Sequence, residues 1–133
     1  IEIFGIKESK IEVIYLGNSL IFDKKYSMHI VLPIKYILFV GARSHYKNFN
    51  RFIISMLDVL SSDSELSIVC VGGGGFVDDE IQLFHDLKID GKVFQHSLDD
   101  STLPFFYKNA QLFVFPTLYE GFGIPILESF EIA

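Results

Sequence analysis

The sequence has a single cysteine, no tryptophan and no apolar run long enough to cross a membrane. Cys70 lies in the apolar segment LSIVCV, which excludes an internal disulfide and favours a buried strand thiol in a reducing compartment. The longest apolar region, MHIVLPIKYILFV, is interrupted by His29, Pro33 and Lys35. It therefore falls short of the roughly 20 apolar residues that a membrane-spanning helix needs.

Basic residues are also scarce: 11 Lys and Arg stand against 17 Asp and Glu, for a net charge of -6. This balance argues against a protein that binds nucleic acid by neutralising phosphates over a broad basic face. Half of the 133 residues are hydrophobic and 14 are Phe, which argues against disorder and suits one domain with a sizeable core. Any phosphate site in this chain must therefore be local.

The hydrophobic pattern predicts alternating strands and helices. Short apolar runs rich in β-branched and aromatic residues indicate buried strands at IEVIYL, KYILFV, LSIVCV, KVFQ and QLFVF. Helices are predicted in NFNRFIISMLDVLSS, DDEIQLFHDLKI and LDDSTLPFFYKNA, and again from Pro125 onward. Such alternation predicts an α/β fold with a parallel sheet covered by helices on both faces. Ligands in these folds sit at the carboxyl ends of the strands, in the loops that lead into helices.

The loop GARSHYKN follows one predicted strand and holds Arg43, His45 and Lys47 within five residues. Arg can grip two phosphate oxygens at once and Lys supplies a mobile point charge, so the two cations beside a helix N-terminus could form a compact diphosphate clamp. A solvated polar turn is the alternative interpretation. His45 by itself is better interpreted as a loop residue than as a catalyst.

A run of four glycines, in VGGGGFVDDE, follows another predicted strand. It does not match the G-x-G-x-x-G dinucleotide fingerprint, because Val77 or Asp78 stands where the third glycine is required. Gly72 and Gly73 could let a ligand approach the backbone, or could simply let strand and helix pack closely.

Three acidic residues, Asp78, Asp79 and Glu80, follow this loop and could be mistaken for a metal site. Consecutive residues point in different directions around a helix, and no His or Cys lies at ligand spacing. The pattern favours acidic residues in a first helical turn, where the helix dipole stabilises them.

The segment EGFGIPILE predicts the end of a strand, a tight turn and a helix N-terminus. Two glycines flank Phe122, and Pro125 suits the first turn of a helix. The N–H groups at such a terminus can face an anion. Glu120 would then point into the ligand crevice and accept bonds from sugar hydroxyls. Alternatively, Glu120 and Glu128 are ordinary charges near a helix N-terminus, which explains Glu128 better than Glu120.

The segment PTLYEGFGIPILE resembles the E-x7-E signature of the retaining glycosyltransferases of family 4, with the Glu-Gly-Phe-Gly core intact. The resemblance continues in chain order over almost the whole sequence, through the GARSHYKN and GGGG loops. It implies a GT-B fold, in which two Rossmann-like domains enclose the active site between them. Residues 1–133 would be a partial C-terminal, nucleotide-sugar-binding domain, incomplete at its C-terminus, with the N-terminal acceptor domain absent.

The resemblance also implies roles for individual residues. Arg43 and Lys47 would hold the donor diphosphate and stabilise the leaving group in place of a metal ion, although the two lie closer together than in many family members. Glu120 would bind donor sugar hydroxyls, and Glu128 would accept bonds from the ribose. Other positions would contact the donor mainly through the backbone, or admit it closely: Gly72, Gly73, Gln95, His96, Gly121, Phe122, Gly123 and Ile124.

The function implied is transfer of a hexose, with mannose as one option, from a nucleotide-sugar to a glycan or lipid-linked acceptor. No metal or other cofactor and no nucleic-acid partner is expected. A cytoplasmic location is expected, with the inner face of the membrane as an option for the full-length protein. Two alternatives stay open: a nucleotide-sugar-binding module without turnover and an NAD(P)-binding oxidoreductase domain. The isolated chain is expected to be inactive, because catalysis requires both halves of the cleft.

Overall fold

The computed structural model describes residues 5–14, 17, 20, 30–97 and 99–132. Four strands alternate with five α-helices in the part that forms the sheet. In chain order these are β1 (Lys35–Val40), α1 (Phe49–Ser55), α2 (Leu57–Ser62), β2 (Leu66–Val71), α3 (Asp78–Asp86), β3 (Val93–His96), α4 (Leu103–Asn109), β4 (Leu112–Phe113) and α5 (Ile124–Ile132). Short 3-10 turns occupy Glu8–Lys10, His45–Lys47 and Asp90–Lys92.

The sheet is parallel, with the strand order β3-β2-β1-β4. After β1 the chain builds outward through β2 and β3, and it then crosses back to add β4 on the other side of β1. The strand order therefore reverses between β1 and β4, which is the position where open α/β sheets form their ligand crevice.

Two hydrophobic clusters cover the two faces of this sheet. Alternate residues of β1 point to opposite sides: Ile37 and Phe39 pack toward α1, α2 and α3, whereas Tyr36 and Leu38 pack toward α4 and α5. Cys70 of β2 is fully buried in the first cluster, and burial raises the pKa of its thiol to about 12. The predicted α/β, Rossmann-like sheet with helices on both faces is confirmed.

The long amphipathic segment after β1 forms two helices rather than the single predicted one. The break lies at Met56, whose N–H is shared between the carbonyl oxygens of Phe52 at 3.2 Å and Ile53 at 3.1 Å. The Ser55 hydroxyl also donates to the Phe52 carbonyl at 2.8 Å, and this competition for one acceptor disturbs the regular helical ladder. The buried stripe continues across the break, since Leu60 of α2 joins the same cluster.

Strand β4 is shorter than the predicted run QLFVF, with only two residues in the ladder. The backbone bonds extend slightly further, since Gln111 and Val114 donate to carbonyls of β1, each at 2.9 Å. Beyond Val114 the chain leaves the sheet and runs along the loop that follows β1. The predicted first strand, IEVIYL, is wrong for residues 11–14, which lie in no strand; Tyr15 and Leu16 lie outside the described residues.

Across the described ranges, none of the helices combines the length and the apolar character required to cross a membrane.

The core can be tested with two neighbouring isoleucines of α1. Ile53 is completely buried, whereas Ile54 is 52% exposed. Ile53→Ala should lower the free energy of unfolding by about 3 kcal/mol because it leaves a cavity, and Ile54→Ala by less than about 1 kcal/mol. Both changes have the same effect on helix propensity, so the difference in urea unfolding reports packing. Equal losses would contradict this description of the core.

Candidate functional site

The loops that follow β1 and β4 meet at the reversal point of the sheet. The Leu118 N–H and the Thr117 hydroxyl donate to the Tyr46 carbonyl at 2.8 and 3.1 Å. Asn48 donates its side-chain amide to the Pro116 carbonyl at 3.2 Å. Asn48 itself has a left-handed φ of 58°, a conformation that Asn tolerates better than most residues. These bonds fix the two loops relative to each other.

An ion pair lies where these loops meet. The Lys47 ammonium donates to Oε1 of Glu120, 73 residues further along the chain. The same oxygen accepts a bond from the Thr117 hydroxyl at 3.0 Å. The Lys47 ammonium also lies 5.3 Å from the Tyr46 ring centre and 5.6 Å from that of Phe115. The side chains of Lys47 and Glu120 remain 13% and 23% exposed, so a ligand can reach the pair.

Lys47 lowers the pKa of this carboxylate. Its hydrogen bond is the main reason why the pKa of Glu120 lies below the ordinary value of 4.5, and the Thr117 hydroxyl contributes in the same direction, while burial opposes both. Glu120 is therefore an ionised hydrogen-bond acceptor at neutral pH. It is unsuited to donate a proton as a general acid.

The Gly-Phe-Gly turn and the start of α5 follow directly after Glu120. Gly123 is buried and has a φ of 84°, so its conformation favours glycine. A Cβ there would also approach the Ile126 side chain at 3.4 Å. Helix α5 begins at Ile124, as the position of Pro125 predicts. The first N–H groups of a helix have no carbonyl partner within it, and here they lie beside the exposed Phe122 and Gly121.

Glu128 lies one turn into α5 and faces α4. Its Oε2 accepts a bond from the Tyr107 hydroxyl at 2.8 Å. Burial, together with the neighbouring carboxylate, raises the pKa of Tyr107 well above its ordinary range, so the phenol stays a donor. The bond fixes the carboxylate, and a carboxylate has about four lone-pair sites, so it keeps capacity for further donors.

The glycine loop after β2 lies against Arg43. Nη1 donates to the Gly72 carbonyl at 3.0 Å, Nη2 to those of Gly74 and Gly75 at 3.1 and 2.8 Å, and Nε to Oε1 of Glu80 at 2.7 Å. The structure thus gives separate partners to the two cations of the GARSHYKN loop. The role of Arg43 on a diphosphate stays a prediction.

The end of β3 borders the same loop. The His96 carbonyl accepts bonds from the Gly72 N–H at 3.0 Å and from the Gln95 side-chain amide at 2.8 Å. The His96 ring packs 5.1 Å from the Phe106 ring, and burial lowers its pKa below the ordinary value of 6.5. The imidazole is therefore neutral at pH 7, and this region of the crevice carries no positive charge from His96.

The structure brings Lys47 and Glu120 into contact, and it places the glycine loop beside Gln95 and His96. Sequence reasoning missed two contributors to the site, Thr117 and Tyr107, because nothing in their local sequence indicates which side chain they contact. Glu80 was interpreted only as a first-turn charge of α3, although it is 7% exposed and paired. Within the described residues, no group of His, Cys, Asp or Glu side chains gathers in a way that could hold a metal ion.

Comparison with known proteins decides the family. The model of the family "Glycosyl transferases group 1" matches residues 29–133, which include both loops of the site. The chain belongs to the group 1 glycosyl transferases.

Several curated glycosyl transferases are similar to this chain. It is 33% identical over 129 residues to the O-antigen chain mannosyltransferase RfbU of Salmonella typhimurium, covering 95% of this chain and 34% of that protein. It is 31% identical over 139 residues to the uncharacterized glycosyltransferase MJ1607 of Methanocaldococcus jannaschii, covering 96% and 35%. The chain thus spans about a third of the length of these two relatives.

Solved glycosyl transferases share the fold. A point mutant of S. aureus TarM, crystallised with Fondaparinux, alpha-GlcNAc-glycerol and UDP, superimposes with a TM-score of 0.72 at 18% identity, over 96% of this chain and 24% of TarM. The C-terminal domain of the group 1 protein LpcC from Francisella tularensis gives a TM-score of 0.59 at 22% identity, over 71% of this chain and 52% of that one. At these identities the likeness shows the fold alone.

The Lys47–Glu120 pair predicts a specific pH dependence of stability. Because the native pKa of Glu120 is depressed, its contribution is fully present above the pKa of the unfolded chain and is lost as the pH falls through the native pKa. Wild type should therefore be more stable than Glu120→Gln at neutral pH, with a difference that shrinks progressively below pH 4.5. Urea unfolding of both proteins across this range measures it.

The matched control is the same comparison in a Lys47→Met background. There the pH-dependent difference should largely disappear, because its main cause has been removed. A wild-type advantage that stays constant down to the lowest pH would be incompatible with the depressed pKa.

Proposed function

We propose that this chain is the donor-binding part of a retaining glycosyltransferase of family 4, which takes a sugar from a nucleotide-sugar. The observation that carries the proposal is the Lys47–Glu120 pair at the reversal point of the sheet, directly before the Gly-Phe-Gly turn and the N-terminus of α5. This arrangement places a cation, an ionised acceptor and helix N–H groups within one short stretch of surface. A nucleoside diphosphate sugar offers a partner to each of them: its phosphates suit the cation and the N–H groups, and its sugar hydroxyls suit the acceptor.

Lys47 is proposed to bind the diphosphate. An ammonium group has three donors, so it can keep its bond to Glu120 while it contacts a phosphate oxygen. The N–H groups of Phe122, Gly123 and Ile124 would face the distal phosphate and the sugar. When the glycosidic bond breaks, negative charge grows on the leaving diphosphate, and preorganised donors stabilise it without reorganising. These groups would thus take the part that a metal ion plays elsewhere.

Glu120 is proposed to orient the donor sugar by accepting bonds from its hydroxyl groups. Its low pKa keeps it ionised, and the bonds from Lys47 and Thr117 fix its Oε1 atom. We do not assign it as a nucleophile. Two carboxylates that share one glycosidic bond must face it from both sides, and Glu128 is held against α4 by Tyr107.

Glu128 is proposed to accept bonds from the ribose hydroxyls. The Tyr107 bond restricts the carboxylate to one orientation, which lowers the entropy lost on binding. The glycine loop, with Gly72 and Gly73, and the end of β3 at Gln95 and His96 would border the nucleoside. The Gly72–His96 backbone bond joins these two walls.

The comparisons support two parts of the proposal: that this chain is a C-terminal domain, and that the acceptor is a glycan or a lipid-linked sugar. Two are named O-antigen chain mannosyltransferases, and one is a transferase acting on a diphospho-undecaprenol-linked sugar. The solved LpcC structure is itself a C-terminal domain. We propose mannose as a donor sugar, a cytoplasmic location with access to the membrane face, and an acceptor bound by a second domain.

A binding module without turnover remains the alternative for the isolated 133-residue chain. This alternative keeps the donor site and lacks only the transfer step, which a GT-B enzyme carries out between two domains. The family match argues against the third hypothesis, an NAD(P)-binding oxidoreductase domain.

Titration calorimetry with UDP, GDP and ADP tests the proposal. One nucleotide should bind, and Lys47→Met should weaken that binding by about 10- to 100-fold because a charge-assisted bond to phosphate is lost. Glu128→Gln should weaken it by about 3- to 10-fold through the ribose. Lys108→Met and Glu131→Gln remove the same charges from exposed positions of α4 and α5, and they should leave the affinity unchanged.

Two outcomes would count against the proposal. Equal effects of Lys47→Met and Lys108→Met would mean that the nucleotide responds to net charge and not to this site. Tight binding of a nicotinamide dinucleotide, with none of the nucleoside diphosphates, would favour the oxidoreductase hypothesis instead.

A further inference from the structure

The side chain of Arg43 is buried between the glycine loop and Glu80. It is only 4% exposed, and its guanidinium donates to Glu80 and to the carbonyl oxygens of Gly72, Gly74 and Gly75. A guanidinium has five N–H donors in a fixed planar arrangement. Most of this capacity is already used by acceptors of the protein.

Glu80 neutralises this cation and links it to α3. Its Oε1 accepts the Arg43 Nε bond at 2.7 Å, and its Oε2 accepts the Val77 N–H at 3.0 Å, just before α3 begins. The guanidinium also lies 4.9 Å from the Phe76 ring centre and 5.8 Å from that of Phe49. One buried ion pair therefore connects the loop after β1, the glycine loop and the start of α3.

The shape of the glycine loop depends on this arrangement. Gly72, Gly73 and Gly74 all have positive φ values, of 89°, 72° and 74°, and the carbonyl oxygens of the loop converge on Arg43. Converging carbonyl dipoles repel one another unless a cation lies between them. The contact is close, since a Cβ added to Gly73 would lie 2.9 Å from Nη1 of Arg43. The loop wraps around the guanidinium.

We propose that Arg43 and Glu80 are positioning residues that hold the glycine loop in the shape that receives the nucleoside, and that Lys47 supplies the cation for the phosphates. This assignment rests on the proposed function and replaces the diphosphate role that the sequence predicts for Arg43. A phosphate that approached Arg43 would have to displace a buried carboxylate and several carbonyl bonds. The more exposed Lys47–Glu120 pair presents no comparable obstacle.

Glu80→Gln separates the two roles by the sign of its effect. If Arg43 binds the diphosphate, removing the negative charge beside it strengthens diphosphate binding and leaves nucleoside binding unchanged. If the Arg43–Glu80 pair positions the loop, the same change loosens the loop. It should then weaken the binding of the nucleoside and of its diphosphate by the same factor, about 3- to 10-fold.

The experiment combines hydrogen–deuterium exchange of the unliganded chain with calorimetry of the best-binding nucleoside diphosphate and its parent nucleoside. In both Arg43→Gln and Glu80→Gln, the amides of residues 72–77 should exchange about tenfold faster. Asp79→Asn is the matched control, because it removes the same charge from the exposed neighbouring position, and it should change neither the exchange nor the affinities. If Arg43→Gln does not fold, Glu80→Gln decides alone.

Unchanged exchange at residues 72–77 in Glu80→Gln, or tighter diphosphate binding by that variant, would overturn the proposal. Failure of the wild-type chain to bind any nucleotide would count against the proposed function only. The exchange measurement needs no ligand, so it would still decide whether Arg43 and Glu80 hold the loop.

Discussion

The ion pair between Lys47 and Glu120 is the interaction on which the candidate site depends. It joins two loops whose residues are 73 positions apart in the chain, at the point where the strand order reverses. The hydrogen bonds to the Tyr46 carbonyl hold these loops together, and Lys47 lowers the pKa of the carboxylate. The side chains of the pair stay partly exposed. Its groups remain accessible to a charged ligand.

A second ion pair, between Arg43 and Glu80, is less exposed to solvent than the first. Both side chains are almost fully buried, and burial is favourable only because every charge finds a partner. The converging carbonyls of the glycine loop complete the set of acceptors around the guanidinium. The two cations of the loop after β1 thus have different proposed roles. The Arg43–Glu80 pair shapes the crevice, and the Lys47–Glu120 pair provides it with an accessible charge. Burial, rather than residue type, separates these roles.

Much of the fold follows from local patterns. The alternating α/β sheet can be predicted from the apolar runs at β1 and β2 and from the amphipathic stripe through Phe52 and Ile53. A continuous apolar run indicates a buried strand, and a stripe at three- and four-residue spacing indicates a helix with one buried face. The predictions were weaker where competing hydrogen bonds determine the boundaries of a helix or strand. Ser55 and the shared N–H of Met56 divide one predicted helix into two. Among the strands that the structure describes, β4 pairs with β1 alone, and its ladder is shorter than its apolar run.

The sequence by itself determined the fold class, the turn at Gly123 and the identity of the polar residues at the ends of the strands. Those features depend on backbone preference and on hydrophobic periodicity, which act over a few residues. Only the tertiary structure decided which of those polar residues meet. Arg43 and Lys47 are four residues apart, yet one contacts the glycine loop and the other contacts Glu120. The direction of a long side chain is set by the acceptors and rings that packing brings near it, and these come from distant parts of the chain.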